Sequence, residues 1–181
     1  MNQPELTDGF VTLRRYTRKD ADEVYAAVRE SITDMKMWLP FAHDDYNIKE
    51  TRNWLKQRPK DWKAGTAFDF AITDAKDGSF LGGCGLNNID NDNRLANLGY
   101  WVRTARSQQG IAPATTRLLA RWGLKKMKLS RIEILVAVDN ARSLRVAEKV
   151  GAHREGVLRN RIVIHGKPHD AVMFSFVPEE F

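Results

Sequence analysis

One cysteine, Cys84, stands in a chain of 181 residues, so no internal disulfide framework staples the fold, and a reducing compartment is expected. Long hydrophobic runs are missing too. Ile134-Leu135-Val136-Ala137-Val138 is far short of the ~20 apolar residues a helix needs to cross a bilayer. The segment Met1-Asn2-Gln3-Pro4-Glu5 has no cationic stretch followed by an apolar one, which argues against a secretory signal; the cytoplasm is the expected location, with no membrane partner. Repeats, low-complexity tracts and linkers are lacking, so residues 1–181 read as a single mixed α/β domain. Ordered metal-site spacing is lacking as well. His43-Asp44-Asp45 and His165, His169 and Asp170 supply ligand types, but they read as solvated loops, and no metal is expected.

What is there is a soluble composition, 43% hydrophobic and 29% charged, with a net charge of +6 that is unevenly placed. Residues 94–167 hold sixteen Lys and Arg against four Asp and Glu, whereas residues 1–93 hold thirteen against sixteen. The later region favours a polyanion and the earlier one does not. That imbalance does not separate nucleic acid from a phosphorylated cofactor.

Hydrophobic periodicity predicts the elements. Phe10–Arg14 reads as a strand. A helix starts from Thr17 or Asp20, with Ala21, Val24, Tyr25, Val28 and Ile32 at helical spacing, and a second short helix is expected over 31–39, ended before Pro40. A further helix spans Ile48 to Gln57, closed by Pro59. Phe68–Thr73 and Phe80–Leu86 are strands joined at Asp77-Gly78, a hairpin signal; Asn87–Asn93 is a polar turn and Leu95–Val102 a strand. A long helix over Ile111–Met127 presents Ile111, Ala114, Leu118 and Trp122, with Pro113 tolerated in its first turn. Ile132–Val138 reads as a strand buried on both faces, and Asp139-Asn140 caps a helix that stops at Gly151. Two last strands flank His165-Gly166-Lys167-Pro168.

The most informative stretch runs from Gly99-Tyr100-Trp101-Val102 to Ser107-Gln108-Gln109-Gly110-Ile111-Ala112-Pro113-Ala114. A strand there runs into a glycine turn that opens a helix, leaving backbone N–H groups unpaired at the positive helix end, which favours an anion such as phosphate. It is no Walker A loop, since the Lys-Ser/Thr is absent, and the dinucleotide spacing G-x-G-x-x-G fails. The alternative is an ordinary turn in which Gly110 only relieves the backbone.

A second element, Val138-Asp139-Asn140-Ala141-Arg142-Ser143, is followed by Val146, Glu148-Lys149, Gly151 and Glu155-Gly156. Together with Gly99-Tyr100-Trp101, Gly110-Ile111-Ala112, Trp38-Leu39-Pro40, Leu158-Arg159-Asn160 and Asp170, this order resembles the GNAT superfamily of N-acetyltransferases, and within it the RimJ/RimL group. The resemblance spans nearly the whole chain. It implies an α+β fold in which a mixed, mostly antiparallel sheet of about seven strands, flanked by helices, splays apart between its fourth and fifth strands. It implies acetyl-CoA as co-substrate: the backbone of Trp101 and Val102 and the side chain of Asn140 on the pantetheine arm, and the amides of Gln108, Gln109, Gly110, Ile111 and Ala112 on the pyrophosphate. The basic region 94–167 would face the phosphates. RimJ/RimL-like proteins often pair, so a homodimer fits the resemblance.

There are departures from the family pattern. Ser107 stands where Gln or Arg is usual, Pro113 replaces Thr, and Ala152 replaces Phe. Asn97 replaces a Glu that could relay a proton, and an amide cannot act as a base. Many GNAT enzymes place a Tyr general acid seven residues after the Asn; here that position is Ala147.

Direct acetyl transfer through a tetrahedral intermediate requires deprotonation of the amine, stabilisation of the oxyanion and protonation of the thiolate. Ser143 is nominated as the acid, its alternative role being a helix cap. Asp170, Glu155 and the Asp44-Asp45 pair are candidate bases, with Asp170 favoured by the resemblance. Cys84, within Gly82-Gly83-Cys84-Gly85, reads as a packing residue and not as a nucleophile. Trp38, Asp44 and Asp45, with Phe41 and Trp54, would shape the acceptor site, because aromatic walls and carboxylates suit a cationic amine. The resemblance points to a protein N-terminal α-amine, as on a ribosomal protein, with a polyamine or antibiotic as the alternative acceptor. A non-catalytic nucleic-acid- or ribosome-binding module is the contrasting class; the basic residues sit among cofactor motifs, and no RNA-binding motif is present, which disfavours it.

Overall fold

Alternating apolar side chains build the sheet, and its strand order decides where a site can form. The computed structural model describes residues 5–181; the expectation drawn from Met1 to Pro4 lies outside them. Its strands are β1 (Leu6–Thr7), β2 (Val11–Arg15), β3 (Phe68–Asp74), β4 (Phe80–Asp90), β5 (Leu95–Val102), β6 (Arg131–Ala137), β7 (His153–Ile164) and β8 (Lys167–Phe176). The helices are α1 (Ala21–Met35), α2 (Ile48–Ala64), α3 (Ile111–Lys125) and α4 (Ala141–Lys149). One sheet runs β1-β2-β3-β4-β5-β6-β8-β7. Every neighbouring pair is antiparallel except β5–β6, and a parallel pair needs the crossover that α3 provides. The expected fold is observed, with β1, a two-residue strand, as the addition to the anticipated seven.

β5 and β6 pair only over Leu95↔Arg131, Ala96↔Ile132 and Asn97↔Glu133. Beyond Asn97 they separate, which is the expected splay. One face of the sheet, carrying Phe70, Ile72, Leu86, Leu98, Ile132 and Ile134, packs against α3 and α4. The other face, with Ala71 and Phe80, packs under α1 and α2.

Three helical expectations are corrected. The helix anticipated over 31–39 does not exist. α1 continues to Met35, because Val28, Ser31 and Met35 stay on its buried face, and the chain then turns as Trp38 and Leu39 donate their N–H groups to the Met35 carbonyl. Pro59 does not close α2 but lies inside it. An interior proline costs about 3 kcal/mol, and tertiary anchoring offsets this: Arg58 pairs with Asp61 and Asp69, and Trp62 donates its indole N–H to the Asp69 carbonyl at 3.2 Å. Gly65, at φ 70°, ends the helix instead. The buried face of α3 is Ile111, Thr115, Leu119, Ala120, Gly123 and Leu124, while Ala114, Leu118 and Trp122 flank it. The helix rotates so that Gly123 faces Ile132 and Leu86 at close range.

β6 is likewise not buried on both faces. Ile132, Ile134 and Val136 are buried, but Glu133 and Leu135 are half-buried, since the other face carries a polar cluster in which Arg131 pairs with Glu133 at 2.9 Å and with Glu155 at 2.8 Å.

Candidate active site

Strand alternation decides which backbone groups face the splay. The Arg103 N–H donates to the Leu81 carbonyl at 2.9 Å, so odd-numbered residues of β5 turn their backbone groups towards β4. Tyr100 and Val102 therefore turn theirs into the gap. Of the two backbone positions expected there, Val102 faces the gap, whereas Trp101 contributes its side chain to the cavity wall.

After β5 the chain passes Gln108 at φ 62° and Gly110 at φ 84°, and Gly110 starts α3 without any side-chain cap. Among the described residues, the amides of Gln108, Gln109, Gly110, Ile111 and Ala112 have no partner in the chain. Five consecutive unpaired donors at a positive helix end form an anion cradle. α4 starts across the gap, capped by Asn140, whose Oδ1 accepts the Ser143 N–H at 3.1 Å.

These elements enclose a cavity of about 630 Å³. It brings together Trp38, Trp101, Val102, Gln108, Gly110, Ile111, Ala112, Asn140 and Ser143, nine positions singled out in the sequence. Gln109 belongs to the turn, but its side chain is exposed and does not line the cavity. Arg106, Arg142, Arg145 and Lys149 add positive charge to the wall, and Arg142 reaches Asp34 of α1 at 3.2 Å.

The Ser143 hydroxyl lies 2.9 Å from the Tyr100 hydroxyl, while the capping role belongs to Asn140. Burial pushes the Tyr100 phenol up to about 12, against the opposing pull of its Ser143 hydrogen bond, so it stays protonated at neutral pH. Tyr100 went unassigned in the sequence, where it was only part of a motif; its pairing with Ser143 joins residues 43 positions apart.

A second cavity, of about 490 Å³, adjoins the first and shares Leu39, Tyr100 and Trp101 with it. Its walls are Tyr16, Phe41, Tyr46 and Trp54. His43 pairs with Glu50 at 2.9 Å in its wall, both partly exposed, and Asp69 lies on the β3 side. Asp69 was not singled out in the sequence. Burial pushes its carboxyl above the ordinary range, and the adjacent Arg58 only partly offsets this.

Other expected site residues lie elsewhere. The Asp170 carboxylate accepts the Asn160 N–H at 2.9 Å and so holds an irregular stretch of β7. Glu155 is tied to Ser175 at 2.6 Å and to Arg131. Asp44 pairs with Lys36 at 2.8 Å, and Asp44 and Asp45 are both exposed and outside the two cavities. Cys84 is buried, and burial pushes its thiol far up, which suits a packing residue. Among the described residues, no group of three or more His, Cys, Asp or Glu side chains is placed to hold a metal ion, and no helix is long and apolar enough to cross a membrane.

Comparison with known proteins agrees with this arrangement. Residues 11–153 match the family described as an acetyltransferase (GNAT) domain. YdaF of Bacillus subtilis (strain 168), provisionally named a ribosomal N-acetyltransferase, is 29% identical over 178 residues, 94% of this chain and 93% of YdaF. YoaA of the same organism, named an uncharacterized N-acetyltransferase, is 30% identical over 177 residues, 96% of this chain and 97% of YoaA. Among solved structures, RimL, the ribosomal L7/L12 α-N-protein acetyltransferase in complex with coenzyme A, superposes with a TM-score of 0.89 at 20% identity, covering 98% of this chain and 100% of RimL, a likeness of fold. The cradle, the splayed strands and the family match meet in the same elements: the chain belongs to the GNAT acetyltransferase family.

Proposed function

We propose that the protein transfers an acetyl group from acetyl-CoA to a primary amine, and that the preferred acceptor is the α-amine of a protein N-terminus. The observation that carries the cofactor half is the run of unpaired amides from Gln108 to Ala112 beside the splayed β5 edge. The residues fit the group: unpaired donors for a pyrophosphate, a cationic wall for further phosphates, and the gap-facing backbone of Val102 with Asn140 opposite for the amides of an extended arm. Gly110 is open where a Cβ would stand, so the turn admits a close ligand.

Acetyl-CoA, when bound, supplies a thioester whose carbonyl carbon accepts the amine. The chain's residues do the rest. The cradle and the gap hold one substrate while the second cavity holds the other, so their proximity lowers the barrier. The Ser143 hydroxyl lines the cofactor cavity beside Tyr100, which borders both cavities; it donates a proton to the departing sulfur and takes one back from the Tyr100 hydroxyl. Asp170, the favoured base in the sequence, acts in this reading through the β7 segment it holds, since its carboxylate is bound there.

The aromatic walls of the second cavity suit an ammonium group with an apolar neighbour. The names of YdaF and RimL support a ribosomal-protein N-terminus as the acceptor, and a cytoplasmic reaction accords with that reading. The test has two parts. Coenzyme A is expected to raise the melting temperature. Thiol release from acetyl-CoA is expected to be faster with peptides bearing a free N-terminus than with spermidine or an aminoglycoside. Stabilisation without thiol release on any amine would reduce the protein to a CoA binder, and a preference for spermidine or an aminoglycoside would move the acceptor to small amines.

A further inference from the structure

The acceptor-side face of the sheet carries a row of residues that alternation alone does not explain. Asp69 of β3 stands opposite Gly85 of β4, and Gly85 stands opposite Gly99 of β5. Residues directly opposite one another share a face. Two of the three therefore contribute no side chain, and a bare strip of backbone runs from the Asp69 carboxylate to the β5 edge beside the splay. In the register, Gly83 and Trp101 border the strip on one side and Asn87 and Asn97 on the other.

The two glycines differ in what they permit. A Cβ on Gly85 would collide with Asp69 Oδ1, so that oxygen lies over the strip itself. A Cβ on Gly99 would meet nothing closer than Asn87 Nδ2 at 3.8 Å, and Gly99 has ordinary strand backbone. Neither packing nor conformation requires glycine there, so the space is open to a ligand.

Asp69 is held and yet half free. Arg58 Nη1 takes Oδ2, and Arg58 is itself steadied by Asp61 at 2.8 Å and by stacking over Trp54 at 4.5 Å. Among the described residues, Oδ1 has no partner, and the side chain keeps 18% exposure where it lines the second cavity. A carboxylate with one oxygen anchored and the other open can accept a proton without moving.

We propose that Asp69 Oδ1 is the proton acceptor for the incoming ammonium, and that the Gly85–Gly99 strip is the path on which the amine nitrogen reaches the β5–β6 gap. This rests on the acetyl-transfer reading above. The N–H bond of the ammonium breaks, its proton goes to Oδ1, and the nitrogen keeps the electron pair. That pair forms the C–N bond to the acetyl carbon while the carbonyl π pair moves to oxygen, and the C–S bond breaks as the C=O bond re-forms from this tetrahedral intermediate. Sulfur leaves with its electron pair and gains a proton through Ser143; of the two N–H protons still on the nitrogen, one is lost by way of water and Tyr100 to restore Ser143, and the other stays as the amide N–H. Asp69 releases its own proton to water through the cavity, past His43 and Glu50.

The surroundings favour this role. Burial raises the Asp69 carboxyl, which brings it nearer the working range of a base. The charged and titratable groups around it are Arg58 and Asp61 of α2 and Tyr16 after β2; Cys84 of β4 lies behind it with Phe70 on the opposite face, and His43, Tyr46, Glu50 and Tyr100 line the same cavity. Tyr16 and Cys84 are both pushed well up by burial and stay neutral, which leaves Arg58 as the cation beside it.

The experiment uses the full chain, acetyl-CoA at saturation and a decapeptide with a free N-terminal α-amine. Asp69→Asn is expected to lower kcat/KM for the peptide about 10-fold at pH 7, because only about a tenth of an α-amine of pKa about 8 is neutral there, with the melting-temperature shift caused by coenzyme A unchanged. The deficit should shrink as pH rises towards the α-amine pKa of about 8, because the peptide then arrives already deprotonated. A merely structural Asp69 would not show that recovery. Activity of Asp69→Asn within about threefold of wild type at pH 7 overturns the proposal, since a variant without the base would have only about a tenth of the amine to use. If Asp69→Asn does not fold, Gly99→Val decides. It leaves the Asp69–Arg58 pair intact and is expected to raise KM for the peptide at least about 10-fold, the scale of a methylene-sized misfit in a binding site, with coenzyme A affinity unchanged; an unchanged KM overturns the proposal. A wild-type protein inert towards every amine sinks the acetyl-transfer reading as a whole, whereas an active wild type with an equally active Asp69→Asn sinks only the role of Asp69.

Discussion

The two cavities meet at Tyr100 and Trp101 and are built on different principles. The cofactor cavity is made of chain ends and edges: an unpaired strand edge, a glycine turn and the N-termini of α3 and α4. Its chemistry is carried by backbone amides, with positive side chains behind them. The acceptor cavity is made of side chains projecting from a sheet face and from α1 and α2, with aromatic walls and the Asp69 carboxylate. Backbone chemistry tolerates substitution in a way that side-chain chemistry does not. This is why Ser107 and Pro113 depart from the family pattern without closing the cradle: α3 starts at Ile111 and the amides from Gln108 to Ala112 stay free.

Mutations at the shared wall break the comparison most sharply. Ser143→Ala should reduce kcat about 100-fold while coenzyme A affinity holds, as expected for loss of a general acid; single-turnover kinetics together with calorimetry check it. Unchanged chemistry would leave the hydroxyl with the single task of holding Tyr100 against α4. Next comes the cradle. Gly110→Val puts a branched side chain where the turn lies open to a ligand and should weaken coenzyme A about 10-fold or more, the scale of a misfit in a binding site, with little change in peptide KM at saturating acetyl-CoA. An equal loss on both substrates would mean that the two cavities are not separable.

Asn140→Ala removes the α4 cap and should cost about 1 kcal/mol of stability. The loss is read as a lower melting temperature, and it should be accompanied by weaker coenzyme A binding, because Asn140 lines the cofactor cavity. The smallest effect concerns acid stability on the acceptor side. Burial alone would push Asp20 up, but hydrogen bonds from Arg14 and from the Thr17 N–H outweigh it and hold the carboxyl below its ordinary value. A depressed carboxyl stabilises the fold above its unfolded pKa, and that stability is lost as pH falls through the folded one. Asp20→Asn should therefore lower stability at neutral pH and flatten its decline in acid, as denaturant melts across pH would show.

The sequence by itself determined what is local. Leu95–Val102 emerged as a strand with its bounds intact, Asn140 as a helix cap and Gly110 as the start of α3, because each depends on residues within a turn of one another. The cofactor half was legible for the same reason, since helix starts and glycine turns write their chemistry into a few consecutive positions. Tertiary structure decided the rest. Pro59 sits inside α2 only because Arg58 and Trp62 tie the helix end to β3. Ser143 meets Tyr100 only because α4 folds back over β5, and Asp69 overlooks an empty strip only because two strands place Gly85 and Gly99 in its row. Register between strands is a global property, set by burial of a whole face. The carboxylate on the acceptor side therefore came into view with the sheet and not before it.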